Sequence, residues 1–300
     1  MGLLIVTTGE TIEVGAIDTS TTLQRDIELT GNSGGGINAL NNTVVITTNG
    51  FNINSHANTY GIYINPDVST DSSILTINGT GGNLLRASTN DLFGIYVYGL
   101  NETPLGNSKI NINNMNVVVN GNAISGIHAE NGGLINIRGN GHNLLQANNN
   151  LGFEGKWSNS GIVAIGGQIN ITNMNVEANR NRNGILVSGG NLASITGNGR
   201  NTLQANNNSS PDLAFGITAT GDGSKLSIVH MNIQTNDNKT YGILASRGEL
   251  RDEECKDKGI GQWFRAYGSH LKIDEKISAK RYDTRFANQF PCTSYVSTRE

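Results

Sequence analysis

Apolar and polar residues alternate along most of this chain in runs of three to five positions. That is the period of a strand and not of a helix. Ile169 and Ile171 share one face of such a run, and Met174, Val176 and Ala178 share one face of the next. After them Ile185 and Val187 point one way and Leu186 the other. Gly and Asn stop every run before it can fold back beside itself, so the pattern predicts short strands joined by tight turns and disfavours helix.

The runs recur. Gly-Ile followed by a small or apolar residue begins at Gly36, Gly61, Gly94, Gly126, Gly161, Gly184, Gly216 and Gly242, at spacings of 23 to 35 residues. A longer period lies over the first, because INIRGNGHNLLQANNN from Ile135 returns as SITGNGRNTLQANNN from Ser194. Alternate units carry ININNMNVVVN from Ile110, INITNMNVEAN from Ile169 and LSIVHMNIQTN from Leu226. Such an array implies units that bury their apolar faces only against their neighbours, each with three strands and three turns.

A strand that cannot pair within its own unit pairs with its equivalent in the next one, and the result is a solenoid. From Thr7 to Leu250 the chain resembles the right-handed parallel β-helix family, of about eight rungs. Its handedness is what the resemblance and the preference for right-handed crossovers imply. The expected organisation is an all-β chain with N-terminal cap strands over residues 1–35, β-helix repeats over 36–250 and a different segment over 251–300.

Asn120, Asn148, Asn179, Asn206 and Asn236 each follow the last inward residue of a third strand. Stacked, they predict a ladder in which each side chain occupies a left-handed turn and bonds its counterpart one rung away.

Composition changes the picture mainly at the end of the chain. With a net charge of -3 and 15% charged residues, nothing resembles a nucleic-acid footprint. No apolar run is long enough for a membrane-spanning helix. Met1 to Val6 lacks the basic start of a secretory leader. After Leu250 the last 50 residues hold 18 of the 45 charged residues, both cysteines and only one asparagine. RDEECKDK from Arg251 reads as a charged linker, and the segments from Gly261 and Arg281 read as an incomplete hairpin.

That hairpin resembles the opening of the autotransporter outer-membrane β-barrel, on the residues Trp263, Arg265, Tyr267 and Gly268. The whole chain is thus similar to a bacterial autotransporter passenger followed by the first barrel strands. The resemblance implies a cell-surface or outer-membrane location for the intact ancestor, and a truncated or frameshifted gene for this chain. Contact with the outer membrane would need a complete barrel, because two strands leave open edges. Cys255 and Cys292 can pair if the tail is exported, or remain thiols in a reducing compartment.

Catalytic chemistry is not expected. The carboxylates Asp67, Asp71, Glu102, Glu130, Glu154, Glu177, Asp212 and Asp222 are scattered over turns of different rungs, with no pair at glycosidase spacing. His56, His128, His142, His230 and His270 show no metal-ligand spacing, and no cofactor motif is present.

The residues between the two inward positions of each first strand form a stripe: Asn38, Tyr63, Tyr96, His128, Val163, Leu186, Thr218 and Leu244. Tyr63, Tyr96 and His128 are the candidate contact surface for a glycan or host protein. The competing expectation is that the loops from Asn148 to Ser160 or Asn206 to Phe215 cover the stripe. The leading functional expectation is a non-enzymatic, stalk-like adhesin. A carbohydrate-active lyase or hydrolase and a functionless remnant remain the alternatives.

Overall fold

A computed structural model describes residues 12–13, 19–39, 43–65, 73–99, 108–150, 159–190, 192–210, 214–246 and 249–251. Among the described residues there is no helix, and every strand belongs to one of three parallel sheets. The first sheet has nine strands. They are Ile12–Glu13, Gly35–Asn38, Tyr60–Ile64, Phe93–Tyr98, Ser125–Glu130, Ser160–Ile165, Asn183–Ser188, Phe215–Thr220 and Tyr241–Ser246. The second sheet has nine strands, from Thr19–Thr22 to Glu249–Arg251, and the third has eight, from Ile27–Thr30 to Asn232–Gln234. Consecutive strands lie in different sheets, and each pairs in register with its equivalents one rung away, as Ile110 does with Leu75 and Ile135.

The chain is therefore a parallel β-helix, as the repeat predicts. The strands Ile12–Glu13, Thr19–Thr22 and Ile27–Thr30, grouped in the sequence with the N-terminal cap, pair parallel with the following rung like any other. Trp263, Arg265, Tyr267, Gly268, Cys255 and Cys292 lie outside the described residues.

Inside the coil, like stacks on like. Ile62, Ile95, Ile127, Ile162, Ile185, Ile217 and Ile243 form one column, none more than 2% exposed. A side chain of that size contributes about 1.5–3 kcal/mol on burial, so each rung is held mainly through its two neighbours.

The Gly-Ile repeat has a steric cause. A Cβ on Gly61 would lie 2.6 Å from the Gly94 carbonyl oxygen, and one on Gly94 would lie 2.6 Å from that of Gly126. The same added atoms would fall 2.8 Å from the side-chain nitrogens of Asn90 and Asn122 respectively. Only a residue without a side chain lets successive rungs approach this closely beside a column of buried asparagines.

That column is the chief polar feature of the interior. Asn32, Asn58, Asn90, Asn122, Asn150, Asn181, Asn208 and Asn238 are each at most 4% exposed. The backbone N–H of each of the first seven donates to Oδ1 of the next, at 2.8–3.2 Å. Several Nδ2 groups also donate to interior carbonyls, as Asn181 does to Ala147 and Asn238 to Ala205.

Asn120, Asn148, Asn179, Asn206 and Asn236 stand two residues earlier and are chained in the opposite sense. Here the upper rung's N–H donates to Oδ1 of the rung below, from Asn148 to Asn120 at 2.8 Å and from Asn179 to Asn148 at 2.7 Å. Asn206 and Asn236 extend the chain in the same way. The left-handed backbone belongs not to these asparagines but to the residue after each: Gly121, Asn149, Arg180, Asn207 and Asp237 all have positive φ. The physical reason is the corner itself, where one asparagine on either side anchors the chain and the reversal falls on the residue between them.

The longer sequence period also has a structural origin. Asn143 Nδ2 donates to the Gly81 carbonyl at 2.6 Å and Asn201 Nδ2 to that of Gly141 at 3.0 Å. Both bonds reach about 60 residues back, from one long corner to the next, over the tight corner of the rung between.

Candidate functional site

Two surface regions of the coil gather groups capable of recognition. The first lies on the outer face of the first sheet. Gly61 and Ile62 both face inward, so the strict alternation skips a position and Tyr60 and Tyr63 both project outward. One rung later Phe93 and Tyr96 repeat the arrangement.

The four rings form a compact block. Tyr60 stacks on Tyr63 at 4.3 Å between centroids and Phe93 on Tyr96 at 4.6 Å. Tyr63 lies parallel to Tyr96 at 5.6 Å, with 3° between the planes. His128 closes the block, with its ring edge-on to Phe93 and to Tyr96.

The structure thus brings Tyr63, Tyr96 and His128 together in register, at paired positions of three consecutive strands. It also corrects the expected exposure. Tyr96 is 9% exposed and His128 3%, and Val163, Leu186 and Thr218 in the same stripe are buried as well. Stacking and edge-on packing hide most of the inner rings, so the half-buried surface of the block falls to Tyr60, Tyr63 and Phe93. A smaller pair, Phe215 and Tyr241, stacks at 5.7 Å further along the same face.

Sequence reasoning missed Tyr60 and Phe93, and the available signal was an aromatic residue directly before the repeated Gly-Ile, as in YGIY, FGIY, FGIT and YGIL. It also missed Glu130 as a member of the site. The Tyr96 hydroxyl donates to Glu130 Oε2 at 3.0 Å. His128 Nε2 is 3.5 Å from the same oxygen. The His128 contact is at the limit of bonding distance and neither ring nitrogen completes a well-aligned bond, so the tyrosine bond is the firm one and the histidine contact a looser polar one. Asn131 Nδ2 donates to the Tyr98 hydroxyl on the same side.

Burial together with the adjoining carboxylate pushes the Tyr96 hydroxyl well above its ordinary range. Glu130 is held below the ordinary carboxylate value by His128 and by the Tyr96 hydroxyl, against a burial that works the other way. A carboxyl with a lowered pKa stabilises the fold above its ordinary value of 4.5 and loses that contribution as the pH falls through the lowered one. Thermal melts from pH 7 to pH 3 should therefore show wild type losing more stability than Glu130→Gln, the gap opening below about pH 4.5. Parallel pH profiles for the two proteins would contradict this assignment.

The second region is a polar depression of about 310 Å³ at the corner after the third strands. It is lined by Asn148, Asn149, Glu177, Asn179, Arg180, Gln204, Asn206 and Asn207. Glu177 Oε2 accepts from Gln146 Nε2 at 2.8 Å and from Asn148 Nδ2 at 3.5 Å.

Of the carboxylates considered in the sequence, Glu130, Glu177 and Asp222 are described, and each lies in a different rung. No group of three or more His, Cys, Asp or Glu capable of holding a metal occurs among the described residues. No family model, no curated protein and no solved structure matches this chain.

Proposed function

We propose that this protein acts by display and contact, as a stiff β-helical rod of the kind found in surface-exposed passengers and adhesins, rather than by catalytic turnover. The observation that carries the reading is the continuity of the coil. An inner asparagine chain from Asn32 to Asn238 and a glycine column from Gly36 to Gly242 run from rung to rung, joined from Asn120 to Asn236 by an outer asparagine chain of opposite sense. Such a body resists bending and spaces surface groups at the rung repeat, about 4.8 Å.

Its contact surface is the aromatic block. Tyr60, Tyr63 and Phe93 offer half-buried ring surface beside the Glu130 carboxylate and the Tyr98 hydroxyl. Aromatic rings flanked by a carboxylate and hydroxyl groups suit the apolar face and the hydroxyl rim of a sugar, and equally an aromatic-rich patch on a protein. A location at the cell surface belongs to the same reading.

The test is binding of the full chain to a glycan array and to host-cell surface protein. Tyr63→Ala and Phe93→Ala should each weaken the strongest interaction by about tenfold or more. Retained binding in both variants would reject the aromatic block as the contact surface. Release of reducing sugar from any polysaccharide on a matched panel would reject the non-catalytic reading.

A further inference from the structure

We propose that the depression around Glu177 and Arg180 is a second binding site, for an uncharged, hydroxyl-rich saccharide chain lying along the axis of the coil. This site is separate from the aromatic block and does not depend on it.

The hydrogen-bond inventory of the corner carries the inference. Asn179 Oδ1 is used by the N–H of Asn206 and Asn206 Oδ1 by that of Asn236, both at 2.7 Å. The ladder therefore consumes the acceptor end of each amide and leaves the Nδ2 donors facing outward. Among the described residues neither Nδ2 has a protein partner, and the same holds for the Gln204 side chain. One rung separates successive donors, about 4.8 Å. Glu177 Oε2 is tied to Gln146, which leaves Oε1 to accept. Arg180 is exposed and adds a guanidinium fork.

This set of groups selects its ligand class. The lining contains no apolar side chain, which rules against an apolar molecule. Glu177 and Arg180 balance one another, so neither a polyanion nor a polycation is favoured. Free donors and free acceptors both occur on the wall, the acceptors including Glu177 Oε1 and the side-chain oxygen of Gln204. A hydroxyl group both accepts and donates, so successive hydroxyls of a sugar chain can take the amide hydrogens and give one of their own to Glu177.

Arg180 sits at the left-handed corner with φ of 56°, where the other rungs carry Gly31, Ala57, Thr89, Gly121, Asn149, Asn207 and Asp237, so the corner accepts several residue types and none of the others is a long cation. A long cationic side chain at that corner is not needed for the turn, which Arg180→Asn should preserve.

The test is calorimetric titration of the full 300-residue chain. The probes are neutral hexasaccharides of glucose, galactose, mannose and N-acetylglucosamine, with a hexuronate as the charged control. At least one neutral probe is expected to bind, with affinity about tenfold weaker in Glu177→Ala and several-fold weaker in Arg180→Asn. Arg138→Ala, at an exposed position on the second sheet outside both regions, should leave that binding unchanged. The proposal fails if no neutral probe binds, if the hexuronate binds more tightly, or if Glu177→Ala and Arg180→Asn both bind as wild type does. Binding lost in Tyr63→Ala but kept in Glu177→Ala also defeats it, while leaving the aromatic block as a contact surface.

Discussion

Replacing Gly94 by alanine is expected to destabilise the coil by about 3 kcal/mol, a large effect for a single methyl group. The added carbon would lie 2.6 Å from the carbonyl oxygens of both Ala87 and Gly126, and 2.8 Å from Asn122 Nδ2. Two of these neighbours are backbone and cannot swing aside, so the rungs must separate and loosen the hydrogen bonds between the first-sheet strands on either side. Gly82 provides the control. It has no heavy atom within 4 Å of the added carbon, and its backbone is outside the left-handed region. Gly82→Ala should be neutral or stabilising by a few tenths of a kcal/mol, through the unfolded chain alone. Urea titrations of the three proteins decide the matter. Because a solenoid couples only to its neighbours, Gly94→Ala should also broaden or split the transition near the weakened junction. A Gly94→Ala midpoint equal to that of Gly82→Ala would show that the close approach is not under strain.

The inner column of isoleucines, the three sheets and the pairing of equivalent strands were all legible, because alternation and repetition are properties of a single chain read in order. Ile62 and Ile95 announce their burial by their neighbours alone. The inner asparagines were not legible in that way. In Asn148-Asn149-Asn150 three identical residues do three different things. Asn148 bonds the rung below, Asn149 takes the left-handed backbone, and Asn150 lies buried and bonds the rung above. Composition marks all three as turn residues, and only the corner geometry separates them. In hindsight the recurrence of Asn-x-Asn at Asn120, Asn148, Asn179, Asn206 and Asn236 was the available sign.

The outer face was less legible still. Alternation correctly turns Val163 and Thr218 away from the interior column, yet both are buried, at 0% and 2% exposure. A period of two reports direction and not cover. Of the aromatic block Tyr63, Tyr96 and His128 were legible, while Tyr60 and Phe93 escaped because they lie across a glycine where the alternation skips. Glu177 and Arg180 stand three residues apart in one rung, but the depression they line forms only because Asn148 and Asn149 on one side and Gln204, Asn206 and Asn207 on the other stack against that rung.

Asn122→Ala should cost about 3 to 5 kcal/mol, because the side chain it removes is 1% exposed and fully engaged. Asn122 Oδ1 accepts from the N–H and the side chain of Asn90, at 3.0 and 2.9 Å. Its Nδ2 lies 3.2 Å from the Ala87 carbonyl, 3.0 Å from that of Val119 and 3.2 Å from Asn150 Oδ1. Truncation leaves several of these groups buried with a partner missing, and each such group costs about 1–3 kcal/mol before any relaxation. Asn120→Ala, two residues earlier, removes an acceptor for only the Asn148 N–H at a half-buried site and should cost about 1 kcal/mol. Asn122→Asp makes the cause visible through pH. It keeps the acceptor for Asn90 but turns a carboxylate toward three oxygens, so burial and repulsion raise its folded-state pKa above the unfolded value of about 3.9. A raised carboxyl pKa means stability that is present below that value and lost as the pH rises through the folded one. Asn122→Asp should therefore be nearest to wild type in acid and fall behind towards neutrality, whereas the deficit of Asn122→Ala should change little with pH. Equal deficits for the two variants from pH 4 to pH 8 would mean that the column contributes packing and not a chain of hydrogen bonds.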